Sequence, residues 1–522
     1  MSYVAPLSKR IAAWLIDNLI LLGIVVPLSI VLIGYPPKED SISLLKASAA
    51  SSAMIFLPLL YYTLFEGFTS STPGKRILGI YVLTYKSLEP IDLRRAFIRN
   101  LVRIADMFLL YLPALINEDR RRLGDGAGGT IVVHDEVSLR LLTPERFAER
   151  LSREEGELSI TTATTKAFLE IMRRKVSATP EDKLKLVVRK LCTLSGFEEK
   201  DLRAKAKETL GSDDIGSLIA YAMLSRRTSI KGILTRKDLQ NILLRASEIA
   251  FSEEDRAVLR REALFISGIM KLSEGIRTSK PRIGGFLREV VSRTPDEFRG
   301  VAPYFLLATI SFVVMTFLSY AFLPESLIRR VTEMLGIRPG INKVNHLLLS
   351  LFIIANNIRV ALIAIGGGPT VLWPPLLAIA NGIIVGGVGV MFKERYLFYL
   401  SGLLPHGVLE ITAIMSAVAI GMKMGARALF PPRGRRRYGM LEEVALGNLH
   451  LAAFALILLC ISGFVEGLIT PIFIKLFARW GIAPSLIFSL VEGAVLYAYL
   501  LLYGARRSPN EDEVQEAADL VR

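Results

Sequence analysis

The chain has 522 residues, which is more than one ordinary hydrophobic core accommodates. Hydrophobic residues make up 52% of it and charged residues 22%, a composition typical of membrane segments that alternate with a charged soluble part. Its 64 basic and 49 acidic residues give a net charge of +15. As an explanation of this excess, we prefer loops that face anionic lipid headgroups to a nucleic-acid-binding surface. The two cysteines, Cys192 and Cys460, lie far apart and predict no disulfide framework.

Eight apolar runs are close to the roughly 20 residues that a helix needs to cross a bilayer. Two lie near the start of the chain and six near its end, at 11–35, 47–65, 301–323, 345–365, 371–392, 401–428, 449–474 and 483–503. Residues 98–116 are also apolar, but they carry Arg99, Arg103, Asp106 and Pro113. We interpret this segment as a re-entrant or interfacial helix, with a third N-terminal span as the alternative.

The basic residues orient these spans, because cytoplasmic loops are enriched in lysine and arginine. With eight spans, four basic segments fall on the same side of the membrane, at 9–10, 75–99, 433–437 and 506–507. Two smaller basic groups, at 329–330 and 393–395, fall on the other side. We therefore predict an all-α polytopic protein of the plasma membrane, with about eight transmembrane helices, one re-entrant segment and both termini in the cytoplasm.

The stretch between the two groups of spans, residues 138–288, has no long apolar run and is rich in lysine, arginine and glutamate. Apolar residues recur at helical spacing, as in Phe168, Met172 and Val176, and Ser252 precedes acidic residues as a helix cap does. We predict six or seven short helices in a cytoplasmic domain that recruits protein partners. The stretch has no nucleotide-binding or zinc-binding pattern, so we predict no cofactor.

Two blocks in the N-terminal region, Ser71–Ile80 and Arg121–Val133, share one plan. Each runs from a basic turn punctuated by glycine into a short segment rich in β-branched residues, which predicts two short strands that pair. An arginine directly before the first apolar run, an aspartate within that run and a second aspartate in segment 98–116 accompany these blocks.

This pattern resembles the RDD family over about residues 5–135. The resemblance implies that Arg10, Asp17 and Asp106 are the characteristic arginine and aspartates, with Asp125 in the second block. Arg10 lies two helical turns from Asp17, and Arg103 one turn from Asp106, so salt bridges that fix the helices are one interpretation. The other is an ion relay, since transport has been suggested for members of the family.

The C-terminal spans carry polar residues that are costly in a membrane and therefore face a partner or a cavity. They are the Asn356-Asn357-Ile358-Arg359 element, the Pro405-His406-Gly407-x-x-Glu410 element, Asn381, Glu466 and Glu492. In this order they resemble the stage II sporulation protein M family over about 215 residues. Its bacterial namesake is a polytopic membrane protein that acts with partners during engulfment.

His406 and Glu410 are four residues apart and therefore lie on one face of a helix. Four roles stay open for the pair: structural hydrogen bonding, a cation or proton site, a metal site that Glu466 or Glu492 completes, and hydrolysis. The metalloprotease pattern is absent, because Gly407 stands where that pattern has a glutamate. We expect Arg359 to neutralise one of the buried glutamates.

We thus predict an RDD-like module at 1–137, a helical cytoplasmic domain at 138–288, a six-helix bundle at 289–508 and an acidic tail at 509–522. As a function we predict a non-enzymatic scaffold that organises the membrane and recruits proteins. The alternative is a cation- or proton-coupled transporter that uses buried carboxylates. The expected partners are anionic lipids and proteins, not nucleic acid, and homo-oligomerisation is left open.

Overall fold

A computed structural model describes most of the chain. The described residues are 3–33, 41–109, 111–117, 119–134, 160–177, 198–210, 212–218, 236–250, 252–273, 283–334, 346–432 and 436–503, with isolated positions at 180, 185, 188–189, 192 and 221. The acidic tail at 509–522 and the basic residues Arg433, Arg435, Arg506 and Arg507 lie outside them.

The N-terminal half contains helices of very different lengths and two short strands. In chain order these are α1 (Leu7–Ile33), α2 (Ser41–Thr69), α3 (Pro73–Ile77), β1 (Ile80–Thr84), α4 (Leu93–Leu101), α5 (Arg103–Phe108), α6 (Leu112–Ile116), α7 (Leu123–Ala127), β2 (Thr130–His134), α8 (Ile160–Ser177), α9 (Glu199–Leu210), α10 (Arg236–Ile249) and α11 (Glu253–Ser273). Asp92 begins α4 as its N-cap by accepting a hydrogen bond from the Arg95 backbone N–H at 2.9 Å.

The C-terminal half contains long apolar helices. These are α12 (Ile283–Phe322), α13 (Glu325–Met334), α14 (His346–Gly366), α15 (Trp373–Val390), α16 (Tyr396–Leu429), α17 (Arg437–Gly447), α18 (Leu449–Phe464), α19 (Thr470–Trp480) and α20 (Ala483–Leu502). Short 3₁₀ turns at Gly368–Thr370 and Lys393–Arg395 precede α15 and α16, and a π-helix at Val465–Ile469 joins α18 to α19.

These elements form two compact units. The first comprises Met1–Ala13, Phe68–Ile91 and Ile131–Thr278, and the second comprises Trp14–Gly67, Asp92–Thr130 and Ser279–Arg522. Both units therefore draw on the N-terminal 137 residues.

In the first unit, β1 and β2 pair in a two-stranded sheet, as the two blocks in the sequence predicted. The two strands share a core with helices later in the chain, because Leu83 and Ile131 pack in one cluster with apolar residues of α8, α10 and α11. A Cβ atom on Gly268 of α11 would lie 1.9 Å from the Leu88 carbonyl oxygen, so α11 packs directly on the backbone that follows β1. Ser252 caps α11 by accepting from the Asp255 backbone N–H at 3.0 Å.

In the second unit, α16 is the central helix. In its most apolar stretch, 72% of the residues are buried, against 22–39% in the corresponding stretches of the other candidate spans. Glycines permit close helix packing around it: a Cβ on Gly421 would lie 2.3 Å from the Ala364 oxygen of α14. Between α15 and α12, a Cβ on Gly386 would lie 2.2 Å from the Thr316 oxygen.

The prediction of a polytopic all-α membrane protein is confirmed. Six helices among the described residues are long and apolar enough to cross a membrane, and they coincide with the six predicted C-terminal spans. α1 and α2 extend over 27 and 29 residues at the predicted N-terminal spans. Segment 98–116 is divided among the short helices α4, α5 and α6, with Tyr111 at a positive φ of 57° between the last two, and none is long enough to cross.

The N-terminal segment 92–130 contacts the C-terminal bundle within the second unit. Arg95 pairs with Glu442 at 2.8 Å, and the Tyr438 hydroxyl donates to the Arg121 carbonyl oxygen at 3.0 Å. A Cβ on Gly126 would lie 1.9 Å from Cδ1 of Tyr438, so α7 and α17 meet without space for a larger residue. The sequence did not reveal whether the two membrane regions touch.

Candidate functional site

The first candidate site lies where α16 faces the junction of α18 and α19. His406 and Glu410 project from one face of α16, four residues apart. His406 is buried, and its Nδ1 lies 3.2 Å from Oγ1 of Thr470, the first residue of α19. The imidazole is therefore held on one side by a hydroxyl group.

Glu466 approaches the other nitrogen of the same imidazole. Its Oε2 lies 3.9 Å from Nε2 of His406. Glu466 belongs to the π-helix, a rare element that is frequently found at functional sites. One ligand-type atom from each of His406, Glu410 and Glu466 lies within 4.8 Å of the other two. We call these three residues the His–Glu–Glu cluster.

Helix α14 borders the cluster on a third side. The Asn357 side chain is hydrogen-bonded to Glu410, and it accepts from Nδ2 of Asn356 at 3.4 Å. Arg359 donates from Nη2 to Oδ1 of Asn356 at 2.7 Å. The polar element of α14 thus reaches the cluster through Asn357, and the neutralisation of a glutamate by Arg359 stays a prediction.

Glycines bring α14 against the π-helix and so set the position of Glu466. A Cβ on Gly467 would lie 2.0 Å from Oγ of Ser350, and one on Gly463 would lie 2.4 Å from Cγ1 of Ile354. Any larger residue at either position would push α14 away from the π-helix. The carboxylate of Glu466 is therefore placed by packed backbone on the neighbouring residues and not by a mobile loop.

Glu492 lies on α20, outside the cluster. Its Oε2 is buried without a hydrogen-bond partner among the described residues. The sequence left open whether Glu466 or Glu492 joins His406 and Glu410, and the structure brings Glu466 to them. Choosing between the two required knowledge of how the helices pack.

A second group of charged side chains is buried in the N-terminal part of the same unit. Arg99 on α4 is only 1% exposed, with Nε at 2.8 Å from Oε2 of Glu66 and Nη1 at 3.0 Å from Oδ1 of Asp125. Asn100 also donates to Glu66 at 2.8 Å. We predicted Asp125 from the sequence but missed Glu66 and Arg99, although an arginine within the apolar segment was an available signal.

Asp106 joins this group from α5. It is fully buried and accepts hydrogen bonds from the backbone N–H groups of Leu123 at 2.8 Å and Gly124 at 3.2 Å. Arg122 places Nε at 4.0 Å from Asp106 and Nη2 at 3.4 Å from Asp125. Burial by itself would lower the pKa of Arg122, but the two carboxylates raise it, so the guanidinium stays charged. We call the five residues Glu66, Arg99, Asp106, Arg122 and Asp125 the buried charge network.

The remaining predicted positions lie on or near the first two helices. Asp17 is fully buried and accepts a hydrogen bond from the Tyr61 hydroxyl at 2.9 Å. Arg103, which its spacing paired with the aspartate one turn along, lies over the ring of Tyr62 at 3.8 Å from the centroid. Arg10 is partly buried on α1, and its salt bridge with Asp17 stays a prediction.

Sequence reasoning gave no functional role to His450 at the start of α18, and the structure shows this histidine to be buried. His450 places Nδ1 at 2.6 Å from Oε1 of Glu297 and Nε2 at 3.2 Å from Oε2 of Glu289, both on α12. Glu289 pairs in addition with Arg94 of α4 at 2.8 Å. These contacts connect segment 92–130 with two helices of the bundle.

Comparisons with known proteins match two parts of the chain to two different families. The family model of the RDD family matches residues 4–129, and that of Stage II sporulation protein M matches residues 304–471. An uncharacterized protein of Methanocaldococcus jannaschii is 28% identical over 123 residues, which cover 23% of this chain and 69% of that protein. No solved structure matches the chain. The chain is therefore an integral membrane protein whose N-terminal region is similar to the RDD family and whose C-terminal region is similar to stage II sporulation protein M.

Proposed function

We propose that this protein is a cation-coupled membrane transporter whose cation binds at the His–Glu–Glu cluster. The observation that carries the proposal is the convergence of His406, Glu410 and Glu466 from two helical segments inside an apolar bundle. Polar groups at such depth are costly, and where they occur together they usually mark an ion or substrate pathway.

The charge balance of the cluster supports this proposal. The carboxylates of Glu410 and Glu466 lie close together. Glu466 lies 3.9 Å from the imidazole of His406, and Glu410 contacts the side chain of Asn357. No described lysine or arginine pairs with either carboxylate. A bound cation would compensate the negative charge of the two carboxylates, because uncompensated charges in a low-dielectric interior cost several kcal/mol.

The irregular helix supports it as well. Transporters commonly bind ions where a membrane helix is interrupted, since the interruption exposes polar groups to a cavity. Here the π-helix at Val465–Ile469 interrupts α18 and α19 at the residue that carries the carboxylate. Glu466 retains 32% exposure of its side chain, so the cluster opens to the bundle surface on this side.

We further propose that the protein lies in the plasma membrane with both termini in the cytoplasm, where the first unit contacts protein partners and the basic segments contact anionic lipids. The support is the bias of basic residues toward one side. Labelling of Cys192 in oriented vesicles tests this orientation. A membrane-impermeant reagent should reach Cys192 from the cytoplasmic side only, and labelling from outside would overturn it.

Flux measurements test the transport proposal. The full chain would be reconstituted in liposomes, and uptake would be followed under imposed gradients of H⁺, Na⁺, K⁺ and divalent cations. We expect flux that His406→Asn and Glu466→Gln reduce at least tenfold. Glu492→Gln is the matched control, because it removes a buried carboxylate outside the cluster, and it should keep the wild-type rate.

Each variant would be checked for intact folding by gel filtration and helical circular dichroism. Absence of flux above that of empty liposomes, under every gradient and with folded wild-type protein, would contradict the proposal. The scaffold predicted from the sequence would then be the better account, and partners of the first unit would be sought.

A further inference from the structure

We infer that the His–Glu–Glu cluster selects a divalent transition-metal ion, bound directly by Nε2 of His406 and by carboxylate oxygens of Glu410 and Glu466. This inference rests on the proposed function for its biological role but not for its chemistry. Alkali ions, Mg²⁺ and Ca²⁺ prefer sites made of oxygen atoms alone. An imidazole nitrogen among the donors favours Zn²⁺ and the later first-row transition-metal ions in mixed nitrogen and oxygen sites.

The environment of His406 prepares its Nε2 to bind a metal. The Thr470 hydroxyl lies 3.2 Å from Nδ1, where it can accept the Nδ1–H. With the proton held there, Nε2 carries a lone pair and points toward Glu466. Metal-binding histidines generally donate their other N–H in this way, which fixes the tautomer and the ring orientation.

The spacing of the donors suits an ion better than a direct contact. Nε2 of His406 and Oε2 of Glu466 are 3.9 Å apart, too far for a hydrogen bond. Two metal–ligand bonds of about 2.1 Å at a tetrahedral angle would place the donor atoms roughly 3.4 Å apart. A movement of about half an ångström therefore brings these two atoms to the spacing that a bound Zn²⁺ or Co²⁺ requires.

Three protein ligands leave a coordination position open. Structural zinc sites are closed by four protein ligands, whereas sites that exchange or activate a ligand keep one position for water. Glu410 is itself oriented by Asn357, and His406 by Thr470, so both have supporting partners from neighbouring helices. The arrangement fits an ion that enters and leaves, as a transported ion must.

Metal binding by the full chain in lipid nanodiscs tests the inference. After removal of metal with EDTA, Co²⁺ would be titrated and followed by its visible d–d absorption, and Zn²⁺ would be measured by equilibrium dialysis. We expect one ion per chain, retained in a hundredfold excess of Mg²⁺. His406→Asn and Glu466→Gln should each weaken binding at least tenfold, and Glu492→Gln should leave it unchanged.

Thr470 provides a readout of its positioning role. Thr470→Val should keep the stoichiometry but weaken the affinity by about 10-fold to 100-fold, as loss of a partner of a metal-bound histidine does. Thr470→Ser should restore it, because serine retains the hydroxyl. Equal affinity in the valine variant and wild type would contradict the orientation inferred for His406.

The outcomes for metal binding and for transport are distinguishable. Metal binding at the cluster without flux in liposomes would support this inference and contradict the proposed transport. Proton, Na⁺ or K⁺ flux in a protein that binds neither Co²⁺ nor Zn²⁺ would overturn the inference and leave transport standing. Binding that survives in both His406→Asn and Glu466→Gln would overturn it as well.

Discussion

Replacement of Arg99 by methionine should destabilise the protein strongly. Arg99 is 1% exposed and pairs with Glu66 at 2.8 Å and with Asp125 at 3.0 Å, both of which are 0% exposed. Removing one partner of a buried ion pair costs about 3–5 kcal/mol, because the remaining charge is left without compensation. Since Asn100 still donates to Glu66 and Arg122 still pairs with Asp125, we expect the lower end, about 3 kcal/mol.

Unfolding of the full chain by SDS in mixed micelles, followed by circular dichroism, measures this loss. A change of about 3 kcal/mol corresponds to a roughly hundredfold larger unfolding constant. Arg94→Met is the matched control on the same helix: Arg94 is 44% exposed in its pair with Glu289, so its loss should cost less than about 1 kcal/mol. Adding Glu66→Gln to Arg99→Met should recover part of the stability.

If Arg99→Met, like Arg94→Met, lost less than about 1 kcal/mol, the reasoning on the buried charge network would be refuted. The network would then be accessible to water or to another cation that compensates the two carboxylates. Equal losses in both variants of about 3 kcal/mol would instead mean that exposed charges of α4 matter as much as buried ones, which contradicts the ranking by burial.

Three further predictions concern other contacts. Gly126→Ala should lower the melting temperature of the full chain in detergent, because the new Cβ would lie 1.9 Å from Cδ1 of Tyr438. Adding Tyr438→Ala should relieve the loss caused by this clash, and an unchanged melting temperature in Gly126→Ala would contradict the packing. Tyr61→Phe removes the hydroxyl that donates to Asp17 and should lower the free energy of unfolding by about 1–3 kcal/mol in the same SDS titration. An unchanged unfolding midpoint would contradict this prediction. For Asp214, burial by itself would raise the pKa, but hydrogen bonds from the serines at 212 and 217 and from the arginine at 173 lower it to about 2. The ionised carboxylate therefore stabilises its segment at pH values above its ordinary pKa of 3.8, and this stabilisation is lost as the pH falls toward 2. Hydrogen exchange of residues 212–218, corrected for intrinsic rates, should show the loss in wild type and not in Asp214→Asn.

Hydropathy predicted the C-terminal spans well because the length and composition of a membrane helix are local properties of the chain. The run at 371–392 became α15 at Trp373–Val390, and the run at 401–428 became α16 at Tyr396–Leu429. The interpretation of segment 98–116 as non-spanning rested on its charges, and the structure divides this segment into helices of five to nine residues.

Partners of the buried charges were harder to predict, because they depend on contacts between distant parts of the chain. Helical spacing pointed from Asp106 to Arg103, three residues away. Instead α5 ends at Phe108, Tyr111 has a positive φ of 57°, and the backbone N–H groups of Leu123 and Gly124 in α7 lie against Asp106. Likewise, helical periodicity does not reveal the π-helix that carries Glu466, so the third member of the cluster could not be chosen.

The balance of charge separates the two buried groups. In the buried charge network, three carboxylates face two guanidinium groups and two backbone N–H donors, and its core residues are almost fully enclosed. Charges compensated in this way favour a structural role for Asp106 and Asp125 over an ion relay, because a relay needs a group that can exchange its partner. In the His–Glu–Glu cluster, one imidazole faces two carboxylates: Glu466 lies 3.9 Å from it and keeps 32% exposure of its side chain, and a carboxylate oxygen of Glu410 lies within 4.8 Å. Substitutions that remove negative charge should therefore impair folding in the first group, whereas in the second group, if it holds the proposed cation, they should impair ion binding.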